Sequence, residues 1–530
     1  LYALGREQPA LRQQLLRRWP AHPAALAAAS ERADLPGALH LARWGARWPG
    51  AQQRLQTACR SRPLTTGQRQ LLAQGLAELG DIQGTLRCLG ATPALPATSL
   101  LLAASELQGD GPAPNTGISR LQRLIASAAA PAAVADAVRL LSDQDTAAAQ
   151  SAIDQLPPHW QMTAAVQAHQ ARQHSGPAAT LAVLRRWPAD PASWELQWQK
   201  ARGAALAGRW QEAETLLQAG GARLEASMPI ALQARRSFWL GLSAWQLGRR
   251  AEAKARWQRL LALQPSGYYA WRAATRLGIA RTTTHAVQTD GPAWMPLASG
   301  NGRVDLLWRS GQPLEAWEAW RTARGGSPPT SSDGLQAEGR LREAIGDGWA
   351  GLGQLERAAL RLGPGQCSLQ RLIEIEHYRP RQRQLLAAAA RSSDVPLNLV
   401  LGVAKQESRF QPDVRSVVGA SGLLQLMPDT ASELAGEPLD AAALANPGRN
   451  ARLGSRYLRQ LLQRWDGNPM LAVASYNAGP NAVAGWLSPK LTALPEVWVE
   501  AIPYPETRHY VKTVLGNAWS FAAPRLPHCR

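Results

Sequence analysis

Gly208-Arg209-Trp210-Gln211-Glu212-Ala213 returns 40 residues later as Gly248-Arg249-Arg250-Ala251-Glu252-Ala253. Weaker echoes stand at Gly311-Gln312-Pro313-Leu314-Glu315-Ala316 and Gly353-Gln354-Leu355-Glu356-Arg357-Ala358. In each, the glycine is expected to end one helix. The alanine then falls one turn into the next helix, where only a small side chain fits between packed neighbours. Around these repeats, residues 1–375 are rich in alanine, leucine, glutamine and arginine, all good helix formers. Proline and glycine punctuate them at helix-hairpin intervals, and aromatic or β-branched runs of period two are absent. The expected fold class is all-α: an N-terminal superhelical helix-hairpin solenoid, each hairpin burying its apolar face only against its neighbours, followed by a separate C-terminal α domain.

A chain of 530 residues is too long for one ordinary core. Its 45% hydrophobic and 18% charged composition excludes wholesale disorder. No run approaches the ~20 apolar residues of a membrane span; the longest, such as Leu385 to Ala390, are far shorter. The chain opens at Leu1 with no methionine and no charged-then-apolar leader, which leaves open whether a secretory signal preceded it. Of the 21 tryptophans, 17 precede residue 376, most at helical spacing with leucine and alanine (Trp239 and Trp245; Trp317 and Trp320). They read as filling between repeats rather than as a stacking groove for sugars or bases. Trp-Pro follows arginine at Trp19-Pro20, Trp48-Pro49 and Trp187-Pro188.

The net charge is +19, and only five of the 58 basic residues are lysines. Such a surplus suits a polyanionic partner, although a general bias toward arginine explains it as well. The excess is spread out, with no block of like charge that would mark a nucleic-acid arm. Cys59, Cys88, Cys367 and Cys529 lie far apart, with no C-x-x-C and no histidine at metal-ligand spacing. Four ordinary unpaired cysteines are expected; Cys59 and Cys88, both near helix ends, could bridge in an oxidising compartment.

Segments richer in glycine, proline and serine run over 282–301 and 325–334 and read as long connections in a linker region near 282–375. Near residue 376 the degenerate repeats stop. The main boundary is placed there, giving a solenoid over 1–375 and a second domain over 376–530.

In that second domain, Ser393-Asp394-Val395-Pro396 reads as a helix start, with a capping side chain and a first-turn proline. The next segment puts Val400, Val403, Ala404 and Glu407 on one stripe at i, i+3, i+4 and i+7. A carboxylate thus sits on the apolar face at the helix's C-terminal end, where burial and the helix dipole both favour its neutral form. That is the condition for an acid that must hold a proton near neutral pH. The competing reading is a half-exposed glutamate paired with Lys405 or Arg409. Beyond it, Gly419 and Gly422 flank small residues in a tight excursion able to bring Ser416 and Gln425 beside Glu407. Further helices are expected from Pro428, from Asn446-Pro447 to about Trp465 with Leu453, Tyr457, Leu461 and Leu462 inward, and from Asn468-Pro469 to about Ala478.

Four motifs occur in order: Gln406-Glu407-Ser408; Gly419-Ala420-Ser421-Gly422-Leu423-Leu424-Gln425-Leu426-Met427-Pro428; Ala474-Ser475-Tyr476-Asn477-Ala478-Gly479-Pro480; and Glu506-Thr507-Arg508-His509-Tyr510-Val511. Together they resemble the lysozyme-like catalytic domain of soluble lytic murein transglycosylases. The solenoid-first layout resembles the superhelical type. The resemblance implies that Glu407 protonates the glycosidic oxygen between N-acetylmuramic acid and N-acetylglucosamine. Its carboxylate then deprotonates the muramic acid 6-hydroxyl, which closes a 1,6-anhydro ring. It implies that Tyr476 hydrogen-bonds the Glu407 carboxyl, that Ser416 and Gln425 contact the sugar's N-acetyl and hydroxyl groups, and that Met427 forms an apolar wall. Asn477 would fix a turn beside the substrate, Glu500 would line the cleft, and Arg508 and Tyr510 would be structural. Leu424 departs from the methionine common at its position, and Ala501 from the serine that often follows the acidic residue; neither removes a proton-transfer group.

The implied partner is the peptidoglycan glycan strand, with proteins of cell-wall synthesis in second place and the basic solenoid guiding the strand. The implied setting is the periplasm or cell envelope, as a monomer without a transmembrane segment. No cofactor, metal or nucleic acid is expected, since no H-E-x-x-H, P-loop or Rossmann glycine pattern is present. Two other functions compete. One is a lysozyme-type hydrolase in which Asp413 or Glu500 activates water; the other is a helical-repeat scaffold with an inactive relic. Intact Glu407, Gln425 and Tyr476 argue against the relic.

Overall fold

The computed structural model describes residues 8–60, 63–108, 113–127, 130–174, 176–279, 294–416, 418–522 and 527–529. The fold is all-α. Among the described residues the β-structure is confined to isolated bridges, Arg415 with Ser421 and Ser421 with Leu426.

The repeats behave as their sequence suggests at three of four places. Gly208, Gly248 and Gly311 take φ of 76°, 83° and 70° just past helix ends, where a side chain would be strained. Ala213, Ala253 and Ala316 are buried in the helices that follow (Trp210–Gln218, Arg250–Leu263, Pro313–Ala323). The fourth echo is different. Gly353 lies inside helix Gly348–Arg361, and the turn before that helix is made by Gly346 at φ 89°.

The chain divides into two units, and the division does not fall at residue 376. One unit comprises Leu1–Leu196 and Ser299–Pro329; the other comprises Gln197–Ala298 and Thr330–Arg530. Two of the passages between them, at 298/299 and 329/330, fall in the glycine- and proline-rich segments, while the third, at 196/197, lies inside helix Pro191–Leu206. Of the expected connection over 282–301, residues 282–293 lie outside the described part. Asn301 then caps helix Gly302–Arg309 by accepting from the Arg303 and Val304 amides.

In the first unit, short helices pack on their chain neighbours. Leu41, Leu55, Leu72, Leu76 and Leu102 form one buried cluster, and Ile118, Leu121, Val138, Leu141 and Ile153 form another. A disulfide joins Cys59 and Cys88, with Cα atoms 4.9 Å apart. In the second unit a further disulfide joins Cys367 and Cys529, 162 residues apart in sequence. Unpaired cysteines were the expectation, and it is overturned for all four residues. Spacing along the chain carries no information about which helix ends meet in space.

The second unit has two adjoining apolar clusters. Trp198, Phe238, Trp239 and Trp257 fill one, together with Val497 and Trp519 from the C-terminal helices. These indoles are packing, as expected. The other cluster joins Val400, Val403, Leu423, Leu471 and Val511 with Tyr268, Leu352 and Leu355. The core under the C-terminal motifs therefore draws on residues upstream of 376.

Candidate active site

Glu407 stands one residue from the end of helix Leu397–Ser408. Pro396 is the N-cap residue of that helix, and no side chain caps it. The cap expected from Ser393 or Asp394 is absent, because Asp394 turns the chain at φ 50° before the helix begins. Val400, Val403 and Ala404 are fully buried, so the stripe leading to Glu407 faces the core as its period demands.

On that face lies helix Pro505–Ala522. The approach is close at Gly402, where a Cβ would sit 2.7 Å from the Val514 carbonyl oxygen; any larger residue would push the helices apart. Contact at this distance brings the Tyr510 hydroxyl to Glu407, where it donates to Oε1 at 2.5 Å. Burial pushes the Glu407 carboxyl up to about 7; the Tyr510 hydrogen bond opposes this and the charge of Glu506 adds to it. The acid therefore keeps its proton well above the usual carboxylate range. Tyr510, expected to be structural, is the partner the sequence reading missed. Its place in the fourth motif, four residues after Glu506, was the available signal.

The alternative pairing of Glu407 with Lys405 or Arg409 does not occur. The Lys405 amine is buried, 2.7 Å from His377 Nε2, and donates to Asn517 Oδ1 at 3.1 Å; burial lowers it to about 7. Arg409 pairs with Glu356.

Tyr476 also differs from expectation. Its hydroxyl donates to the Leu424 carbonyl at 2.8 Å, not to Glu407. Burial raises its phenol well above the usual range, and the charge of nearby Glu407 adds to this. Tyr476 thus holds the loop beside the acid rather than the acid itself.

That loop is tied at several points. Ser408 Oγ donates to the Leu423 carbonyl at 2.8 Å, joining the end of helix Leu397–Ser408 to it. Ser416 Oγ accepts from the Ala420 amide at 3.0 Å. Gln425, at φ 44°, donates Nε2 to the Val414 and Gly422 carbonyls, each at 2.8 Å. Fully buried Asn450 accepts from the Leu424 amide at 2.7 Å and donates to the Ser421 carbonyl at 2.8 Å. A Cβ at Gly422 (φ 82°) would meet that Asn450 amide at 2.3 Å, which explains the glycine. Asn450 was invisible to motif reading, being one polar residue on an amphipathic helix. Met427 is 41% exposed at the loop's end, so it is not core.

Asn477 accepts from Thr507 Oγ1 at 2.6 Å and donates to Glu506 Oε1 at 3.3 Å, fastening its turn to the start of the Tyr510 helix. Glu500 is not at a cleft surface. It is 1% exposed, with Lys512 Nζ at 2.8 Å and Arg202 Nε at 3.1 Å on its two oxygens. Arg508 Nε lies 4.0 Å away and its guanidinium also donates to the Ile502 carbonyl, a structural role as expected. The structure thus places Glu500 among cations, where the sequence reading expected it to line a cleft. Asp413 is exposed. Among the described residues no group of three or more His, Cys, Asp or Glu could hold a metal ion.

The region that carries Glu407 also resembles known proteins. Residues 384–496 match the family model described as Transglycosylase SLT domain. The soluble lytic murein transglycosylase of Salmonella typhimurium is 36% identical over 147 residues, 27% of this chain and 23% of that protein. Its Escherichia coli K12 counterpart is 38% identical over 130 residues, 23% of this chain and 20% of that protein. These matches span less than a quarter of the relatives' own length. In fold, the crystal structure of the 70 kDa soluble lytic transglycosylase from Escherichia coli aligns over 99% of this chain and 91% of that one, with a TM-score of 0.50 and 18% identity. Residues 384–496, which carry Glu407, are therefore similar in sequence to the transglycosylase SLT domain and to soluble lytic murein transglycosylases.

Proposed function

We propose that the protein is a peptidoglycan lytic transglycosylase. It would cleave the β-1,4 bond between N-acetylmuramic acid and N-acetylglucosamine and leave 1,6-anhydromuramic acid ends, with residues 376–530 as the catalytic part. The observation that carries this reading is Glu407, a half-buried acid raised to about 7 and held by Tyr510. Such a group can first donate and then recover one proton near neutral pH.

Glu407 gives its proton to the glycosidic oxygen as the bond to the anomeric carbon breaks, and the N-acetylglucosamine leaves as an alcohol. The resulting carboxylate takes the proton of the muramic acid 6-hydroxyl as that oxygen bonds to the anomeric carbon. Glu407 ends neutral, and no water is consumed. An ordinary glycosidase needs a second carboxylate, ~5–5.5 Å away as nucleophile or ~6.5–9.5 Å away as water-activating base. Here the acceptor is carried by the substrate and already oriented, so one carboxyl group serves both steps. Ser416 and the Oε1 of Gln425 would meet the sugar's hydroxyl and N-acetyl groups, with Met427 as an apolar wall.

One observation favours a hydrolytic variant. Glu506 is exposed, and its charge reaches Glu407, so it, rather than Asp413 or Glu500, would be the residue to activate water. Digestion of purified sacculi followed by mass spectrometry separates the two. Transglycosylation yields ends lighter by one water than hydrolytic ends. Hydrolytic ends would replace the first reading with the second, and no digestion by the parent protein would leave a scaffold.

The periplasm or cell envelope is the proposed setting. Two disulfides suit an oxidising compartment, and no helix among the described residues is long and apolar enough to cross a membrane. The +19 charge suits an anionic glycan strand with acidic stem peptides. Neutralising exposed arginines of residues 1–196 in the full chain and finding unchanged binding to sacculi would end that last idea.

A further inference from the structure

The catalytic helix ends on two consecutive residues in the left-handed region, Arg409 at φ 46° and Phe410 at φ 63°. Neither is the glycine that such a helix end favours, and L side chains rarely adopt this conformation. Something outside the segment must hold it. Phe410 is 1% exposed and meets Phe521 edge-on, with ring centroids 6.2 Å apart. Arg409 is gripped by helix Gly348–Arg361: its Nε and Nη2 donate to Glu356 Oε2 at 3.0 and 2.8 Å, and its guanidinium lies 4.5 Å from the Trp349 ring centroid.

The gripping helix is shaped for this contact. A Cβ at Gly353 would come within 3.2 Å of the Arg409 guanidinium, and one at Gly348 within 2.4 Å of Gln411 Nε2. Its Leu352 and Leu355 share the buried cluster of Val400 and Val403. The helix lies wholly outside residues 384–496, the span that matches the transglycosylase domain. Two residues before Arg409 stands Glu407, whose contact with Tyr510 requires the end of its helix to be fixed to within a few tenths of an ångström.

We propose that Glu356 and Arg409 are positioning residues for Glu407: their ion pair, backed by Trp349, locks the left-handed helix end from which Glu407 meets Tyr510. The SLT-like region thus depends for its geometry on a helix that precedes it. Activity as the readout rests on the transglycosylase reading.

The test uses the full chain in four forms: the parent, Glu356→Gln, Arg409→Lys and Arg409→Ala. Each is assayed on purified sacculi for kcat, KM and the pH profile of kcat, with thermal unfolding alongside. Glu356→Gln and Arg409→Ala are expected to lower kcat at least tenfold with KM within about twofold. The high-pH limb should move upward, because a loosened helix end loses the Tyr510 bond that favours the Glu407 carboxylate. Arg409→Lys keeps the charge and should recover at least threefold over Arg409→Ala. A role in stability alone would lower the unfolding temperature and leave the limb where it is in the parent. That result, or unchanged kcat in both disruptive variants, overturns the proposal. A parent chain inactive on sacculi would instead sink the transglycosylase reading.

Discussion

The Tyr510 hydroxyl and Glu407 Oε1 lie 2.5 Å apart, although the two residues are separated by 103 positions in sequence. This bond works against burial. By donating to the carboxylate form it draws the acid's pKa down, so the value of about 7 is a compromise between a dry site and one hydroxyl.

Replacing Tyr510 by phenylalanine should therefore shift the high-pH limb of kcat upward, since the remaining forces all favour the protonated acid. The proton recovery step should suffer, with kcat falling by about 10–100-fold. Glu506→Gln should move the same limb downward by a smaller amount, because it removes a repelling charge. Parallel pH–rate profiles check both; limbs moving in the same direction would contradict the assignment.

Glu407→Gln should abolish digestion of sacculi, by at least about 100-fold, and should also change stability in a pH-dependent way. The folded protein holds the Glu407 proton up to about 7, against 4.5 for the free group. The stabilisation from its neutral form is complete below 4.5 and is lost as pH rises through 7. The amide cannot ionise, so the variant should match the parent near pH 4 and exceed it at pH 8 by about 1–3 kcal/mol. Denaturant unfolding at the two pH values measures this.

Glu500→Gln should act on stability instead of chemistry. It leaves Lys512 and Arg202 facing a neutral amide in a site where Glu500 is 1% exposed, a change of about 3–5 kcal/mol for a broken buried pair. The surviving folded fraction should keep the parent's pH profile. A displaced limb would return Glu500 to the reaction.

Alkylation of the denatured, unreduced protein should label none of the four cysteines, and alkylation after reduction should label all four. Cys367→Ser should destabilise by about 3–5 kcal/mol, since the bond closes a loop across 162 residues.

Some of this was legible from the chain alone. Helix Pro447–Arg464 with its Asn446 cap, and helix Pro469–Ala478 with its Asn468 cap, formed where proline and asparagine said they would. The same 3.6-residue period put Glu407 on the buried stripe. These are properties of a few neighbouring residues, and they hold whatever the rest of the molecule does. Motif order was equally local, and it pointed to the acid, the glycine loop and Tyr476, while Tyr510 read only as structural.

Partner choice was not local. Which tyrosine reaches Glu407 depends on how closely Gly402 lets helix Pro505–Ala522 approach. Whether Glu500 faces a sugar or a cation depends on Arg202, 298 residues away. The pairing of Cys367 with Cys529, and the hold of Glu356 on Arg409, were likewise decided only when distant helices packed. A buried charge or thiol takes whatever partner the folded chain brings within about 3 Å, and sequence distance does not enter that energy.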